Sequence, residues 1–105
     1  TYLSDPGMAP IFKRYKEVYK DDCKEFVNGT MAYDATQWLL NAIERANSTD
    51  GTAIAKALET TKNLKLAHAT LSISAEDHNP INKAGIILKV DDNLKMQFYK
   101  KVQPK

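Results

Sequence analysis

The sequence predicts a mixed α/β fold, α+β when the chain is taken by itself: about three helices, then a β-strand and a C-terminal β-hairpin. Three observations point there. Apolar residues recur at helical spacing in three stretches between residues 9 and 61. After Asn63 the composition shifts to β-formers in short runs, with Leu71, Ile73, Ile86, Ile87, Leu88 and Val90. Asp91-Asp92-Asn93 then separates two such runs, as the turn of a hairpin would.

The chain opens on an extended segment that enters a turn at Pro6-Gly7. A helix is expected from Ala9 to Tyr19, because Ile11, Phe12, Tyr15, Val18 and Tyr19 form one apolar stripe. Its Lys and Arg residues decorate the other faces and read as a solvated surface. Residues 20 to 29 are expected as a loop, with Asn28-Gly29 its strongest turn signal. The second helix is expected to start near Asp34, whose carboxylate could accept from the free N–H groups of the first turn, with Gln37 completing a capping-box-like pattern. Ala35, Trp38, Leu39, Ala42, Ile43 and Ala46 then repeat at helical spacing, which makes Trp38 a core residue.

Asn47 to Gly51 breaks that pattern, and Thr49 or Asp50 can cap a third helix from Gly51 to Thr61. Its buried side is marked by Ile54, Ala57, Leu58 and Thr61. Ala69 to Ser74 alternates as a strand would. Ala84–Val90 and Leu94–Val102 are expected to form the hairpin, with Leu94, Met96, Phe98 and Lys100 on one face and Lys95, Gln97 and Tyr99 on a wetter one. The tail from Gln103 is polar.

Composition excludes several functions. At 105 residues the chain is one domain at most, and 43% hydrophobic with 27% charged residues is an ordinary globular mixture. The formal charge of +2, from 15 basic and 13 acidic residues, supplies no concentrated basic face for nucleic acid. No apolar run approaches a membrane span. Thr1 is not an initiator Met and no signal peptide is visible, so the chain is expected to be processed or trimmed. Cys23 is the sole cysteine and reads as an incidental thiol, with no His near it in sequence. His68 and His78 lie far apart, and no Cys/His pair has metal-ligand spacing. There is no glycine-rich phosphate loop, no HExxH, no GxSxG and no paired carboxylates in an apolar setting, so no enzyme and no cofactor is expected.

The order of the words carries more. Phe12-Lys13-Arg14-Tyr15-Lys16-Glu17-Val18-Tyr19-Lys20 is followed by Met31-Ala32-Tyr33-Asp34-Ala35 and Leu39-Leu40-Asn41-Ala42-Ile43-Glu44-Arg45-Ala46. Ser48-Thr49-Asp50, Ile54 to Lys62, Thr70-Leu71-Ser72-Ile73, His78-Asn79-Pro80 and the Asp91–Asn93 turn complete the series. This succession resembles the C-terminal portion of the branched-chain amino acid (leucine/isoleucine/valine-type) periplasmic binding proteins, the type I solute receptors of ABC importers, over nearly the whole chain.

The resemblance implies two α/β lobes around a ligand cleft, with crossover strands at the hinge, of which this chain would be the last quarter to third. Residues of about 1–75 would belong to one lobe, and about 76–105 to the crossover and terminal hairpin. The third crossover would fall within residues 70 to 85 and the second near Thr1 to Asp5. The implied role is binding an amino acid, then presenting the closed form to an ABC permease at the membrane. The implied location is periplasmic or extracellular, as a lipoprotein in a Gram-positive organism. Tyr33 matches an aromatic position that lines the family's site, so its ring could pack on an apolar ligand side chain, or its hydroxyl could bond a polar group. Asp34 is the neighbouring ligand-binding candidate, with its cap role the simpler one.

The sequence departs from the usual pattern at Asp22-Cys23-Lys24 and at Ala75 to Pro80, both surface loops in this reading. A chain that is part of such a fold should expose apolar surface and strand edges, so a dimer or strand swap through the terminal hairpin is expected. The alternatives are a free-standing α+β interaction module docking through the basic Lys13–Lys20 helix, and a small enzyme using Cys23.

Overall fold

The computed structural model describes residues 6–81 and 83–104, and only the backbone at Ile86 and Phe98. The expected crossover at Thr1–Asp5 lies outside the described residues. The elements run α1 (Ala9–Tyr19), α2 (Phe26–Ala46), α3 (Gly51–Glu59), β1 (Leu64–Lys65), β2 (Thr70–Leu71), β3 (Gly85–Val90) and β4 (Met96–Val102).

α1 begins where expected, with Pro10 in its first turn, and ends as Lys20 turns left-handed (φ 60°) and donates its N–H to the Lys16 carbonyl. Ile11 and Phe12 are half-buried, while Val18 and Tyr19 are 50% and 66% exposed, so the C-terminal half of its apolar stripe faces solvent.

α2 corrects the sequence reading. It starts eight residues before Asp34, so Asn28-Gly29 lies inside the helix rather than in a turn, and Asp34 is not its cap. Gly29 donates to the Glu25 carbonyl at 2.7 Å. A Cβ at Gly29 would stand 3.0 Å from the Cys23 Sγ, so glycine here lets the preceding loop lie close against the new helix. Local turn propensity yields to tertiary context. The inward stripe of α2 is Thr30, Asp34, Trp38, Ala42 and Ala46, at successive i, i+4 steps, while Ala35 and Leu39 are exposed.

α3 is capped as expected, the Asp50 carboxylate accepting from the Ala53 N–H at 2.9 Å. It ends at Glu59, two residues earlier than its periodicity suggested. The four-residue connection folds α3 back along α2. Trp38, eight residues before the end of α2, reaches Thr61, two residues beyond the end of α3. Its indole N–H donates to the Thr61 hydroxyl at 2.8 Å, and Arg45 Nη2 donates to the same oxygen at 2.8 Å. Thr61 is 2% exposed and joins Ala42, Ala57 and Ile73 in the small core.

Among the described residues the strands make two separate antiparallel hairpins. β1 and β2 are only two residues each, shorter than the alternation of Ala69–Ser74 suggested, and pair Leu64 with Leu71 and Lys65 with Thr70. β3 and β4 pair from Gly85–Val102 to Val90–Met96, with a bulge where Ile87 faces Lys100 and Leu88 faces Phe98, leaving Tyr99 as the extra residue. Beyond the bulge the alternation along β4 is reset, so its faces do not run straight from Leu94 to Lys100.

The molecule is open. Its radius of gyration is 16.3 Å, against about 13 Å for a compact domain of this size. Its 8222 Å² of surface compares with about 5,900 Å² for a folded monomer of its mass. The excess is apolar in part: Val90, Met96 and Tyr99 of the terminal hairpin are each more than half exposed, as are Met31 and Leu40 of α2.

Candidate functional site

Tyr33 and Asp34 come together with the β1–β2 turn around a cavity of about 520 Å³. Its walls are the start of α1 (Pro10, Ile11), one face of α2 (Tyr33, Gln37, Leu40, Asn41) and the edge formed by Leu64 to Ala67. Apolar surface from Ile11, Leu40, Leu64 and Leu66 alternates with the amides of Gln37 and Asn41. Such a lining suits a ligand with an apolar body and a few polar groups. Tyr33 is 43% exposed, inside the helix rather than before it, so its ring is available to a neighbour.

Asp34 is buried, at 8% exposure, and its carboxylate is engaged. Oδ1 accepts from the Ala67 N–H at 2.8 Å, and Oδ2 accepts from the His68 N–H at 2.9 Å. Oδ2 also lies 3.2 Å from His68 Nδ1. On the other side of the ring, His68 Nε2 lies 3.2 Å from the Thr30 hydroxyl, which donates to the Phe26 carbonyl at 2.8 Å. Asp34 thus serves a turn 33 residues away instead of the start of its own helix.

A second hollow of about 220 Å³ opens on the opposite flank of Asp34, between Met31, Trp38, Leu66, His68, Leu71 and Lys83. Trp38 borders it half-buried, with its indole N–H tied to Thr61, so it stands at the edge of the small core and not within it as expected.

Sequence reading placed Thr61 on a buried side, where it is, but did not single out Thr30 or Arg45, and treated His68 only as a lone histidine. For Thr30 a signal was available: it stands at i−4 from Asp34 and i−8 from Trp38, so it extends the inward stripe backward.

Among the described residues the marked pKa shifts fall on three surface turn carboxylates and on Lys16 of α1, none of them lining the cavity. The Asp77 carboxyl is held below its usual range by the backbone N–H and side-chain amide of Asn79. Glu76 is lowered by its own backbone N–H and the Ser74 hydroxyl. Asp91 is lowered by the Lys95 N–H, the Gln97 amide and the Asn93 N–H. Lys16 is raised by its hydrogen bond to Asp22, at 2.9 Å. His78 pairs with Glu59 at 3.2 Å on the surface and takes no part in the wall. Among the described residues no group of three or more His, Cys, Asp and Glu could hold a metal ion, and no helix is long and apolar enough to cross a membrane.

Residues 1–94 match the family model described as periplasmic binding protein. The structure is similar to the crystal structure of a leucine binding protein, LivK, from Thermotoga maritima, with a TM-score of 0.71 and 28% sequence identity. That similarity covers 97% of this chain and 28% of LivK, so the chain spans little more than a quarter of that protein's length. No curated protein matches.

Proposed function

The chain belongs to the periplasmic binding protein family, and from that premise we propose that it forms the C-terminal part of an extracytoplasmic receptor for amino acids of the branched-chain type. The observation that carries the reading is the likeness to a leucine binding protein along 97% of this chain. The open shape agrees with it, since a piece of a larger fold leaves apolar surface for the remainder to cover.

In this reading residues of about 1–75 belong to one lobe, and about 76–105 to the crossover and terminal hairpin. Tyr33 contributes to one wall of the cleft, its ring against the ligand's aliphatic side chain. Asp34 borders the same cavity. The remaining contacts come from parts of the receptor outside these residues. Ligand shifts the population toward a closed form through a hinge, and that form is recognised by an ABC permease. The role is binding and not catalysis.

Calorimetric titration with leucine, isoleucine and valine tests this. The full-length chain that carries this segment should bind at least one of them, and Tyr33→Ala should weaken binding about tenfold, the scale of one lost aromatic contact. Residues 1–105 alone should not bind, because a cleft needs both walls. Micromolar binding by those residues alone would overturn the incomplete-site reading. The segment alone should also self-associate through its terminal hairpin, and a strict monomer in light scattering at high concentration would count against that.

A further inference from the structure

We infer that Thr30, Asp34 and His68 form a clasp that positions the Leu66–Ala69 turn beside Tyr33, making that turn a second, fixed element of the same wall. The inference deepens the proposed receptor reading and rests on it only for the ligand.

The β1–β2 hairpin is too small to hold its own shape. It has two pairs of facing residues, and one turn bond from the Leu66 N–H to the Ala69 carbonyl at 2.9 Å. A two-stranded hairpin is marginal in water even when longer. Its base is closed by the Asn63 N–H, which donates to the Ser72 hydroxyl at 2.9 Å, and is tied to the segment leaving α3, where the Ile73 N–H donates to the Thr61 carbonyl at 2.9 Å. Its tip is tied to α2 by the Asp34 carboxylate. One carboxylate oxygen takes each of two successive backbone N–H groups, so the tip is fixed in orientation as well as distance. A single bond would leave it free to pivot.

His68 adds the second point of attachment. Thr30 and Asp34 stand one helical turn apart on the same face of α2. The imidazole spans that gap, Nδ1 toward Asp34 and Nε2 toward Thr30. The proton positions follow from the partners. The Asp34 carboxylate accepts from two backbone N–H groups and, ionised, can only accept, so Nδ1, 3.2 Å from Oδ2, carries a proton. Thr30 can then accept from a protonated Nε2 while donating to the Phe26 carbonyl, or donate to a bare Nε2. Both arrangements keep Nδ1–H.

The consequence for the wall is geometric. Tyr33 precedes Asp34 by one residue on α2, and Leu66 and Ala67 line the cavity that Tyr33 lines. Whatever fixes Ala67 to Asp34 therefore fixes the spacing between the tyrosine ring and the turn. Asp34, His68 and Thr30 are positioning residues here, and Tyr33 with the turn makes the surface.

The test uses the full-length chain that carries this segment. Asp34→Ala should speed amide hydrogen exchange at Ala67 and His68 at least tenfold while amides of α3 exchange as before. Unchanged exchange at those two amides overturns the clasp. Thr30→Val should speed it less, and Thr30→Ser, which keeps the hydroxyl, should restore the parent rate; equal behaviour of the two removes Thr30 from the clasp. The unmutated chain supplies a measurement that no folding defect can spoil. Imidazole nitrogen shifts of His68 should show a protonated Nδ1 at neutral pH, and a bare Nδ1 overturns the assignment. Leucine titration separates the two readings. If Asp34→Ala weakens leucine binding while Tyr33→Ala does not, the clasp stands and the Tyr33 contact falls.

Discussion

The two β-hairpins among the described residues are held in opposite ways. β1–β2 has two-residue strands and borrows its rigidity: its base hangs from the end of α3, and its tip from an aspartate on α2. β3–β4 has strands of six and seven residues and supplies its own turn, where Asp91 accepts from the N–H groups of Asn93 and Lys95 and from the Gln97 amide. An aspartate closes each. One works across 33 residues of sequence, the other within six. A short ladder has too few backbone bonds to offset the cost of ordering it and must be anchored by the tertiary structure. A long one forms locally and can project, as this one does with Val90, Met96 and Tyr99 in solvent.

The difference is broken most directly at Asp34. Asp34→Ala removes the carboxylate that the Ala67 and His68 N–H groups and the His68 Nδ1 face. A buried donor that loses its partner costs about 1–3 kcal/mol, and part of the loss is recovered by water at the turn, so the full-length chain should lose about 3 kcal/mol in urea unfolding. A loss below about 1 kcal/mol would place the hairpin's stability in its own ladder, like that of β3–β4. Thr61→Val attacks the base of the same hairpin. The backbone bond from Ile73 survives, but the buried hydroxyl that accepts from Trp38 and Arg45 is gone. The exposed Arg45 turns to water more readily than the half-buried indole N–H, which sets the expected loss at about 2 kcal/mol. Trp38→Phe in the Thr61→Val background should then cost less than it does alone, since the two share one bond.

This asymmetry also decides what was legible in the sequence. The terminal hairpin was, because its signals are local: β-formers, an Asp-Asp-Asn turn, alternation. So were α1 and a cap for α3, which the sequence left between Thr49 and Asp50 and the fold gives to Asp50. α2 was only half legible. Its first turns carry Asn28, Gly29, Thr30 and Asp34, residues that locally favour turns and caps. The helix forms through them because Gly29 admits Cys23, and Thr30 and Asp34 point inward to partners on the β1–β2 turn. Periodicity counts apolar residues, so a buried stripe that begins with threonine and aspartate shows only when polar residues are counted back from Trp38 at the same spacing. The same holds for the site. Tyr33 was singled out by family resemblance, and the cavity it lines needs Leu64 to Ala67, which only the fold brings to it. The bulge at Tyr99 left no local mark at all.

The terminal hairpin offers a change of opposite sign. Leu94 is 87% exposed and left-handed, with φ 59°. A leucine there carries strain that Asn or Gly would not. Leu94→Asn should therefore stabilise by about 0.5 kcal/mol, visible as a small rise in the unfolding midpoint. A loss would mean that Leu94 is covered by another part of the full-length chain, and that the hairpin is anchored after all.

The smallest expected effect is the acid response of the same turn. Hydrogen bonds to the charged carboxylate, first from the Lys95 N–H and then from the Gln97 amide, hold Asp91 below the usual aspartate range. The folded turn thus binds its proton more weakly than the unfolded chain does. The stabilisation is complete above the unfolded value of about 4 and is lost as pH falls through that value toward the folded one. Neutral and alkaline conditions leave it untouched. In a titration followed by NMR, the Asn93 and Lys95 amide shifts should move together, with a midpoint below about 4. In Asp91→Asn that step should vanish. A midpoint at or above the usual value would mean that the turn is held by its ladder alone, and the parallel between the two aspartates would end there.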